Sequence, residues 1–597
     1  MITNMGATPN EYGCYFRVWA PHANRVCVVG TFNNWGKWES DLYVGNSGIW
    51  YGYVPSAKVG DEYKYLLRTE KGDLLKSDPY ARTVTKKTRN AVICSSWAKN
   101  VPVPHHPSVC ERVIYELHVG TFAPRDGSRP GQLHHVIDKL PYLRDLGINT
   151  IEIMPIADFA GDYSWGYNPA FPYAVSETYG GRSALRKLVE AAHSSGLEVI
   201  VDVVYNHFGP NDLDLWRFDG WYENDGGGIY FYNDERAVTP WAHTRPDFRR
   251  EEIRRYILEN ALMWLGEYGI DGLRWDATAY IRNVLGRDDL PAEDIEEGWS
   301  LIQQVNDAIK RLHPTKISIA EDLQDNPRLT DRTTSGGAGF DAQWEARLGC
   351  ALREVVSSDV VSEESIDELC RSIEVSPERA YRRVLYTESH DEAGGAGGRF
   401  QQVIHQWEND YPTARMRAAQ ATAVMFTSPG IPMIFQGQEF AEQVAFSDTR
   451  ALDWSKLKQN GGTVTLLKDL LALRRNDHNN THGLSGDYVK ACESTRADRI
   501  AAFHRWSIGG PGDDVIVVTN LSKQYHVQYE LDFPSPGDWR VRLDTSSSRY
   551  NAGGPGKRPE TRVVESVRNS SAETGFSGRV DIGPWCTLVL SQDGELP

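Results

Sequence analysis

The sequence lacks several features that would point to particular classes of protein. Its eight cysteines, spread from Cys14 to Cys586, form neither CxxC pairs nor a regular spacing, which argues against a disulfide scaffold or a zinc cluster and favours reduced thiols. No apolar run approaches the ~20 residues that a membrane-spanning helix requires. The first residues have neither the basic region nor the apolar region of a signal peptide. We therefore expect a soluble, cytoplasmic protein.

Positive charge is also in short supply. The 597 residues include 64 lysines and arginines against 81 aspartates and glutamates, which gives a formal net charge of −17. This balance disfavours nucleic acid and acidic membrane surfaces as partners and favours a neutral or cationic partner. Tryptophan and tyrosine, by contrast, are abundant at 18 and 28 copies. Their flat rings can fill a core, and they can also bind the faces of sugars.

The pattern of the sequence changes three times along the chain. Residues 1–100 carry short alternating runs such as "YFRVWAP" and "RVCVVGTF", separated by turn residues, which predicts an N-terminal β-sandwich. The stretch "VPVPHHPSVC" at 101–110 is typical of a linker. In residues 111–479, strand-like and helical stretches alternate. Short strands return in residues 480–597 and predict a C-terminal antiparallel β domain.

Eight apolar, strand-like runs recur between residues 111 and 479. They are "VIYELHV" (113–119), "TIEIMPI" (150–156), "EVIVDVV" (198–204), "IDGLRWDA" (270–277), "KISIAED" (316–322), "FDAQW" (340–344), "RVLYTES" (383–389) and "PMIFQGQ" (432–438). The helical candidates are 132–146, 182–195, 249–268, 296–312 and 412–426. Eight alternations of this kind predict an α/β fold, a (β/α)8 TIM barrel, rather than a short open sheet.

Polar residues cluster where several of these runs end, which is where such barrels carry their chemistry. They are Asp202 near the end of the third run and His207 after it, Arg274 and Asp276 at the end of the fourth, Glu321 at the end of the fifth, and His390 and Asp391 after the seventh. Arg274 and Asp276 are two residues apart, so they face the same side of a strand. Buried charges are costly unless they satisfy each other or do chemistry. A structural ion pair would explain Arg274 alone, but polar groups at four strand ends predict an active site.

Four of these segments carry a family resemblance. In order and spacing, "DVVYNH" (202–207), "GLRWDATAY" (272–280), "IAED" (319–322) and "ESHDE" (388–392) resemble the α-amylase superfamily, glycoside hydrolase family 13, over most of residues 111–475. The N-terminal "FRVWAPHANRVCVVGTFNNW" resembles a family 48 carbohydrate-binding module, and the C-terminal residues resemble the C-terminal β domain of the superfamily. The resemblance implies an enzyme that acts on α-glucans.

The resemblance also implies a role for each polar residue of the cluster. Asp276 would be the nucleophile and Glu321 the general acid/base, while Asp391 would bind sugar hydroxyls and stabilise the transition state. The implied supporting residues are Arg274, which holds Asp276 ionised and aimed; Asp202, which supports that arginine; His207 and His390, which bond sugar hydroxyls; and Tyr167 of "SWGYNP", which stacks on the same sugar.

The chemistry of a retaining enzyme explains these residue types. One carboxylate must be ionised to attack the anomeric carbon, and one must be protonated to release the leaving oxygen, with the two about 5–5.5 Å apart. A guanidinium beside Asp276 favours its ionised form. Glu321 has no basic residue beside it in sequence, as suits a proton donor.

Three functions are compatible with this cluster. Hydrolases and transglycosylases share the covalent glycosyl-enzyme and differ in whether water or a sugar hydroxyl attacks it. The module resembling family 48, "YTESHDE", and "GQEF" followed by "LDW" favour a 1,4-α-glucan branching enzyme. The stretch "DVVYNHFGP" is closer to hydrolases such as malto-oligosyltrehalose trehalohydrolase, and Trp275 and "ATAY" also depart from the commonest branching-enzyme pattern. A non-catalytic glucan-binding protein is disfavoured because all three carboxylates are present.

We expect no cofactor and no metal ion. Asn206 matches a position that binds calcium in some amylases, but the sequence offers no supporting cluster of acidic ligands. The expected partner is an α-glucan, either a polymer like glycogen or starch or a malto-oligosaccharide. The oligomeric state, the length of the transferred chain and the physiological glucan leave no trace in the sequence.

Overall fold

The computed structural model describes residues 4–97, 106–124, 130–209, 213–358, 361–395, 397–408, 410–491, 498–550 and 561–594. Residues 101–105 of the predicted linker lie outside this part of the chain. By internal packing the chain divides into two compact units. The first unit comprises Met1–His105, His118–Leu140 and Glu152–Asp341, and the second unit comprises His106–Leu117, Pro141–Ile151 and Ala342–Pro597.

The N-terminal part of the first unit consists of two antiparallel sheets. Its strands are β1 (Gly6–Asn10), β2 (Gly13–Trp19), β3 (Arg25–Gly30), β4 (Tyr43–Val44), β5 (Ile49–Val54), β6 (Glu62–Thr69), β7 (Gly72–Lys76) and β8 (Ala91–Val92). One sheet has the order β1-β2-β5-β4; the other has the order β3-β6-β7, with β8 also paired to β6. In β2 the buried Phe16 and Val18 alternate with the exposed Tyr15, because successive side chains of a strand point to opposite faces. The predicted β-sandwich is confirmed.

Eight parallel strands close into a barrel. They are β9 (Ile114–Leu117), β10 (Thr150–Ile153), β13 (Glu198–Val203), β14 (Gly272–Trp275), β15 (Ile317–Ala320), β16 (Ala342–Glu345), β17 (Arg383–Leu385) and β18 (Ile431–Phe435). They follow one another around the barrel in chain order, and the hairpin of β11 (Ala157–Phe159) and β12 (Pro169–Val175) stands apart from it. Every residue of the eight strands is buried, as expected for strands covered on both faces. Each predicted apolar run overlaps one of them, so the barrel prediction is confirmed.

Except for β15, which is followed only by short 3-10 turns, every barrel strand in the described residues is followed by α-helices. They are α1 (Val119–Phe122), α2 (Leu133–Ile137), α3 (Leu140–Leu146), α4 (Gly181–Ser194), α5 (Glu251–Gly266), α6 (Ala279–Arg282), α7 (Glu296–Leu312), α8 (Ala346–Val356), α9 (Glu363–Ile373), α10 (His390–Gly394), α11 (Phe400–Glu408), α12 (Tyr411–Thr427), α13 (Lys456–Gln459) and α14 (Gly461–Arg474). In α7, Leu301, Val305 and Ile309 form the buried stripe, and Lys310 and Arg311 in the last turn oppose the helix dipole. Within the described ranges, no helix is both long enough and apolar enough to cross a membrane.

The C-terminal part of the second unit is an antiparallel β domain, as predicted. Its strands are β19 (Tyr488–Ala491), β20 (Ile500–Trp506), β21 (Val515–Asn520), β22 (His526–Asp532), β23 (Gly537–Asp544), β24 (Val563–Arg568), β25 (Phe576–Ile582) and β26 (Cys586–Ser591). They pair in the order β19-β20-β21-β26-β23-β24-β25-β22. Val518, Trp539 and Leu588 lie in its apolar core.

Candidate active site

The first unit brings a buried arginine into contact with carboxylates at the C-terminal ends of neighbouring strands. Asp202 of β13 and Arg274 of β14 are direct partners in the parallel register. The fully buried Arg274 donates from Nη1 to Asp202 Oδ2 at 2.8 Å and to Asp276 Oδ1 at 3.1 Å. The expected contact between Arg274 and Asp276 is therefore present.

The same guanidinium also reaches Glu321, which directly follows β15. The distance from Arg274 Nη2 to Glu321 Oε2 is 3.6 Å. Burial opposes the charge of Arg274, but Asp202, together with Tyr167, Glu321 and Asp276, outweighs burial and holds its pKa well above the usual value. The sequence shows no basic residue beside Glu321, but the fold places the guanidinium of Arg274 there, so the expectation that Glu321 has no cationic neighbour is wrong. One cation thus hydrogen-bonds to Asp276 and lies within ion-pair distance of Glu321.

A strained turn after Asp276 directs backbone donors at Glu321. Ala277 has a φ of 41°, a left-handed conformation that costs an alanine about 1–2 kcal/mol. In return, its N–H donates to Glu321 Oε2 at 2.5 Å. The N–H of Thr278 donates to the Glu321 carbonyl at 2.8 Å. This turn therefore couples the position of Asp276 to that of Glu321.

A second buried ion pair anchors the end of β15. Arg282 of α6 donates to both oxygens of Asp322, at 2.9 Å from Nε and 2.6 Å from Nη2. The hydroxyl of Thr278 donates to Asp322 Oδ2 at 3.0 Å. Paired, charge-assisted hydrogen bonds of this kind fix orientation as well as distance. This pair, which was not among the predicted site residues, holds Glu321 in place through its neighbour Asp322.

Asn206 hydrogen-bonds to the candidate nucleophile, Asp276. Its side-chain amide nitrogen donates to Asp276 Oδ2 at 2.7 Å and to the Asp276 carbonyl at 2.9 Å. The sequence had offered only a match to a calcium position for this residue. Across the described residues, no group of three or more His, Cys, Asp and Glu side chains is placed to hold a metal ion.

Tyr167 and His207 lie beside the same carboxylates. The Tyr167 hydroxyl donates to Asp202 Oδ2 at 2.5 Å, and its ring centre lies 5.7 Å from the Arg274 guanidinium. His207 Nε2 lies 2.8 Å from the Tyr167 carbonyl, and its Nδ1 contacts the amide oxygen of Asn206. Burial lowers the pKa of His207, although Asp276 opposes the shift. Both ring nitrogens contact protein acceptors, so the orientation of the ring is fixed.

The second unit holds His390 and Asp391 at the start of α10. The buried Glu116 of β9 binds His390 twice, from Oε1 to Nδ1 at 2.5 Å and from Oε2 to the backbone N–H at 3.2 Å. Asp391 Oδ1 lies 3.4 Å from His390 Nε2, and 59% of the Asp391 side chain is exposed. Glu116 was not among the predicted site residues. The signal was available, because this residue is the only acid in the apolar run "VIYELHV".

Two groups of predicted site residues result. Tyr167, Asp202, His207, Arg274, Asp276 and Glu321 are connected by the contacts described within the first unit. His390 and Asp391 form a pair in the second unit.

Glu439, in the "GQEF" segment of the second unit, is a buried acid next to β18. It accepts hydrogen bonds at Oε1 from the hydroxyls of Tyr115 (2.9 Å) and Tyr142 (3.2 Å), and at Oε2 from the Gly437 N–H (3.0 Å). Burial raises the pKa of Glu439 to about 7, although these donors oppose the shift. The Glu439 carboxyl therefore links the segment after β18 to Tyr115 of β9 and Tyr142 of α3.

This pKa predicts a pH-dependent cost to stability. The carboxyl ionises near pH 4.5 in the unfolded chain and near pH 7 in the folded protein, so the folded state binds more protons in between and loses stability as pH rises through this window. The free energy of unfolding of the wild type should fall by about 3 kcal/mol between pH 4 and pH 8 because of this carboxyl. Glu439→Gln should lack this fall. Urea unfolding of both proteins across this range measures the difference. The amide nitrogen of the glutamine cannot accept the hydrogen bond from Gly437, which lowers the free energy of unfolding by the same amount at every pH. The readout is therefore the slope of the free energy of unfolding against pH, not its absolute value. Parallel pH profiles would contradict the prediction.

Three family models match the chain. Residues 4–81 match carbohydrate-binding module 48 (isoamylase N-terminal domain), residues 117–215 and 210–481 match the alpha amylase catalytic domain, and residues 493–593 match the alpha amylase C-terminal all-beta domain.

Curated relatives and solved structures extend these matches. The 1,4-alpha-glucan branching enzyme GlgB of Corynebacterium diphtheriae is 30% identical over 90% of this chain and 75% of its own length. GlgB 1 of Rhizobium johnstonii is 28% identical over 97% of this chain and 80% of its own length. A pullulanase from Anoxybacillus sp. LM18-11, in complex with maltotetraose, shares the fold with a TM-score of 0.75 and 21% identity, over 99% of this chain and 87% of its own. The chain belongs to the α-amylase family, glycoside hydrolase family 13.

Proposed function

We propose that this chain is a 1,4-α-glucan branching enzyme, which cleaves an α-1,4 link and transfers the released chain to form an α-1,6 link. One observation carries the proposal. A single buried guanidinium, that of Arg274, contacts both Asp276 and Glu321, in a chain that aligns over 90% of its length with a branching enzyme. This arrangement brings the two carboxyl groups that a retaining mechanism needs, a nucleophile and an acid/base, to one common partner.

In the first step, the ionised Asp276 attacks the anomeric carbon of the donor glucan. A bond forms between its carboxylate oxygen and that carbon while the α-1,4 bond breaks, and Glu321 gives its proton to the departing oxygen. Arg274 and Asn206 each bind one oxygen of Asp276, so the carboxylate plane is set before substrate arrives.

In the second step, Glu321 acts as a base. It takes the proton from the 6-hydroxyl of an acceptor glucan, and this oxygen attacks the anomeric carbon and releases Asp276. The product carries an α-1,6 link and the enzyme returns to its first state. If water attacks instead, the same enzyme hydrolyses its substrate, so the acceptor decides the reaction.

The remaining site residues are proposed to bind the sugar at the reacting centre. Asp391 follows β17 of the closed barrel and is largely exposed, which leaves its carboxylate accessible to sugar hydroxyls. Glu116 orients His390, which is proposed to bind a hydroxyl of the same sugar, as is His207. Tyr167 is proposed to stack on that sugar. We further infer a cytoplasmic location, because the cysteine spacing carries no sign of disulfide pairing.

Incubation with amylose tests the proposal. A branching enzyme lowers the iodine colour with few new reducing ends, and debranching then releases short chains from new α-1,6 points. A rise in reducing ends without branch points would refute branching and indicate hydrolysis. Release of trehalose from a trehalosyl-capped oligomer would instead identify a trehalohydrolase. Retained glucan binding with no turnover would indicate a non-catalytic protein.

A further inference from the structure

The hairpin of β11 and β12, in the first unit, carries Tyr167 in its loop but has only weak pairing of its own. Its two strands form a separate sheet, and the three paired positions of β11, which are Ala157, Asp158 and Phe159, are interrupted by two register shifts. A lone two-stranded hairpin is marginally stable, and each shift disrupts the ladder locally. The position of Tyr167 therefore depends on contacts from outside the hairpin.

The loop between the two strands is braced around Tyr167. The Ser164 hydroxyl donates to the amide oxygen of Asn168 at 2.6 Å and accepts from the Gly166 N–H at 2.9 Å. Tyr167 lies within this short network, directly before Asn168 and the start of β12. Its hydroxyl donates to Asp202 at 2.5 Å. A displacement of the hairpin would therefore move the Tyr167 hydroxyl relative to Asp202.

Arg89 reaches this hairpin from the segment between β7 and β8. Its Nη1 lies 2.7 Å from Asp158 Oδ2 and donates to the Phe159 carbonyl at 3.2 Å, so it contacts β11 twice. Its guanidinium also lies 4.8 Å from the centre of the Phe171 ring in β12. Only 24% of the Arg89 side chain and 8% of the Asp158 side chain are exposed, so salt screens this ion pair little. One side chain thus holds both strands where their pairing is irregular.

The backbone of Arg89 is fixed to the N-terminal sheets. Its φ is 53°, a left-handed conformation that is unfavourable for a residue other than glycine. The Arg89 N–H donates to the Thr85 carbonyl at 2.9 Å, and the Ser77 hydroxyl donates to the Arg89 carbonyl. The side-chain amide of Asn90 donates to Glu62 of β6 at 2.7 Å. Strained backbone that its surroundings hold in place is typical of functional positions.

We propose that Arg89 is a positioning residue for the reaction: it holds the hairpin so that Tyr167 lies in place at the candidate active site. The inference rests on the proposed function, because it takes Tyr167 to bind the sugar at the reacting centre. Burial raises the pKa of Asp158 to about 6, although Arg89 opposes the shift, so this carboxylate is ionised and paired at neutral pH. Arg89 lies between the segments that match the carbohydrate-binding module and the catalytic domain. It therefore acts on the reaction without touching the substrate.

The test is a double-mutant cycle of Arg89→Met and Tyr167→Ala. Total cleavage of amylose, counted as new reducing ends plus new branch points, gives kcat/KM. Arg89→Met should lower kcat/KM about tenfold in the wild-type background and less than about twofold in the Tyr167→Ala background, because the residue through which it acts is gone. Arg89→Lys, which keeps the charge beside Asp158, should recover most of the loss. A wild-type kcat/KM in Arg89→Met overturns the inference, as does a tenfold loss in both backgrounds.

Arg68→Met is the matched control. Arg68 of β6 forms an ion pair with Asp73 of β7 at 3.1 Å, and 47% of its side chain is exposed. Its replacement removes the same charge from the N-terminal sheets and should leave kcat/KM unchanged. Should Arg89→Met not fold, Asp158→Asn makes the same comparison from the hairpin side, since it removes the ion pair and keeps the shape. Its loss should also disappear in the Tyr167→Ala background, and an undiminished loss there would overturn the inference.

Failure of the proposed function would be separable from failure of this inference. If the wild-type protein releases reducing ends but forms no branch points, branching is refuted, and the same cycle still tests Arg89 by hydrolysis. If it binds glucan without turnover, calorimetric titration with a malto-oligosaccharide replaces kcat/KM. Arg89→Met should then raise the Kd about tenfold. A Kd equal to that of the wild type would overturn the role of Arg89 in that case.

Discussion

Asp276→Asn should abolish glucan turnover, with a fall in kcat of about 10⁴-fold or more, while α-glucan binding persists. An amide has no negative charge with which to attack the anomeric carbon. It keeps the shape of the carboxylate, and its oxygen can still accept from Arg274 or Asn206, which bind Asp276 in the wild type. Reducing-end and branch-point assays measure turnover, and calorimetric titration with a malto-oligosaccharide measures binding.

Asp271→Asn is the matched control for this variant. Asp271 is a buried acid just before β14, at the opposite end of the strand from Asp276, where it contacts His193 at 2.7 Å and accepts from the Val199 N–H at 2.8 Å. Its loss should affect stability but leave the chemistry intact. Activity like that of the wild type in Asp276→Asn would refute the nucleophile assignment.

Glu321→Gln should lower the rate on natural glucans by about 10²–10⁴-fold, with a loss that depends on the leaving group. A glutamine cannot protonate the departing oxygen of a glucan, but an aryl maltoside with a good leaving group needs no proton. On that substrate the first step should survive and the second should stall, because no base activates the acceptor. A glycosyl-enzyme should therefore accumulate.

Mass spectrometry can detect this intermediate on the peptide that contains Asp276. Added azide, which attacks without needing a base, should release it and restore turnover. Glu296→Gln, on the exposed surface of α7, is the control and should behave as the wild type does. The same fractional loss on glucan and aryl maltoside, with no azide rescue, would contradict the acid/base role of Glu321.

The barrel could be predicted because its strands are buried on both faces. Such strands become continuous apolar runs, and even the short "FDAQW" contains most of β16. The ends of the strands were predicted less accurately than the strands themselves. The run 383–389 predicted a longer strand than β17, which ends at Leu385, since its polar residues Thr387–Ser389 precede α10 instead. The hairpin of β11 and β12 was not predicted, because Gly and Pro interrupt the apolar pattern there.

The part of the candidate site that could be predicted consists of the polar side chains at the ends of strands. Carboxylates at the ends of apolar runs stand out, so Asp276 and Glu321 could be predicted as site residues. The role of the Ala277 N–H could not be predicted. Its direction depends on a left-handed φ, which an alanine in the sequence does not indicate. Glu116 was missed for a related reason. Its partner His390 is distant in sequence and becomes a neighbour only through folding.

The register between β13 and β14 separates the parts of this protein that tolerate redesign from those that do not. Asp202 and Arg274 are lateral partners, and a shift of one residue in either strand would turn one charge away from the other and leave it buried alone. Insertions and deletions in these strands should thus be lethal to folding. Loops outside these two strands are under no such restriction, so redesign should be confined to them.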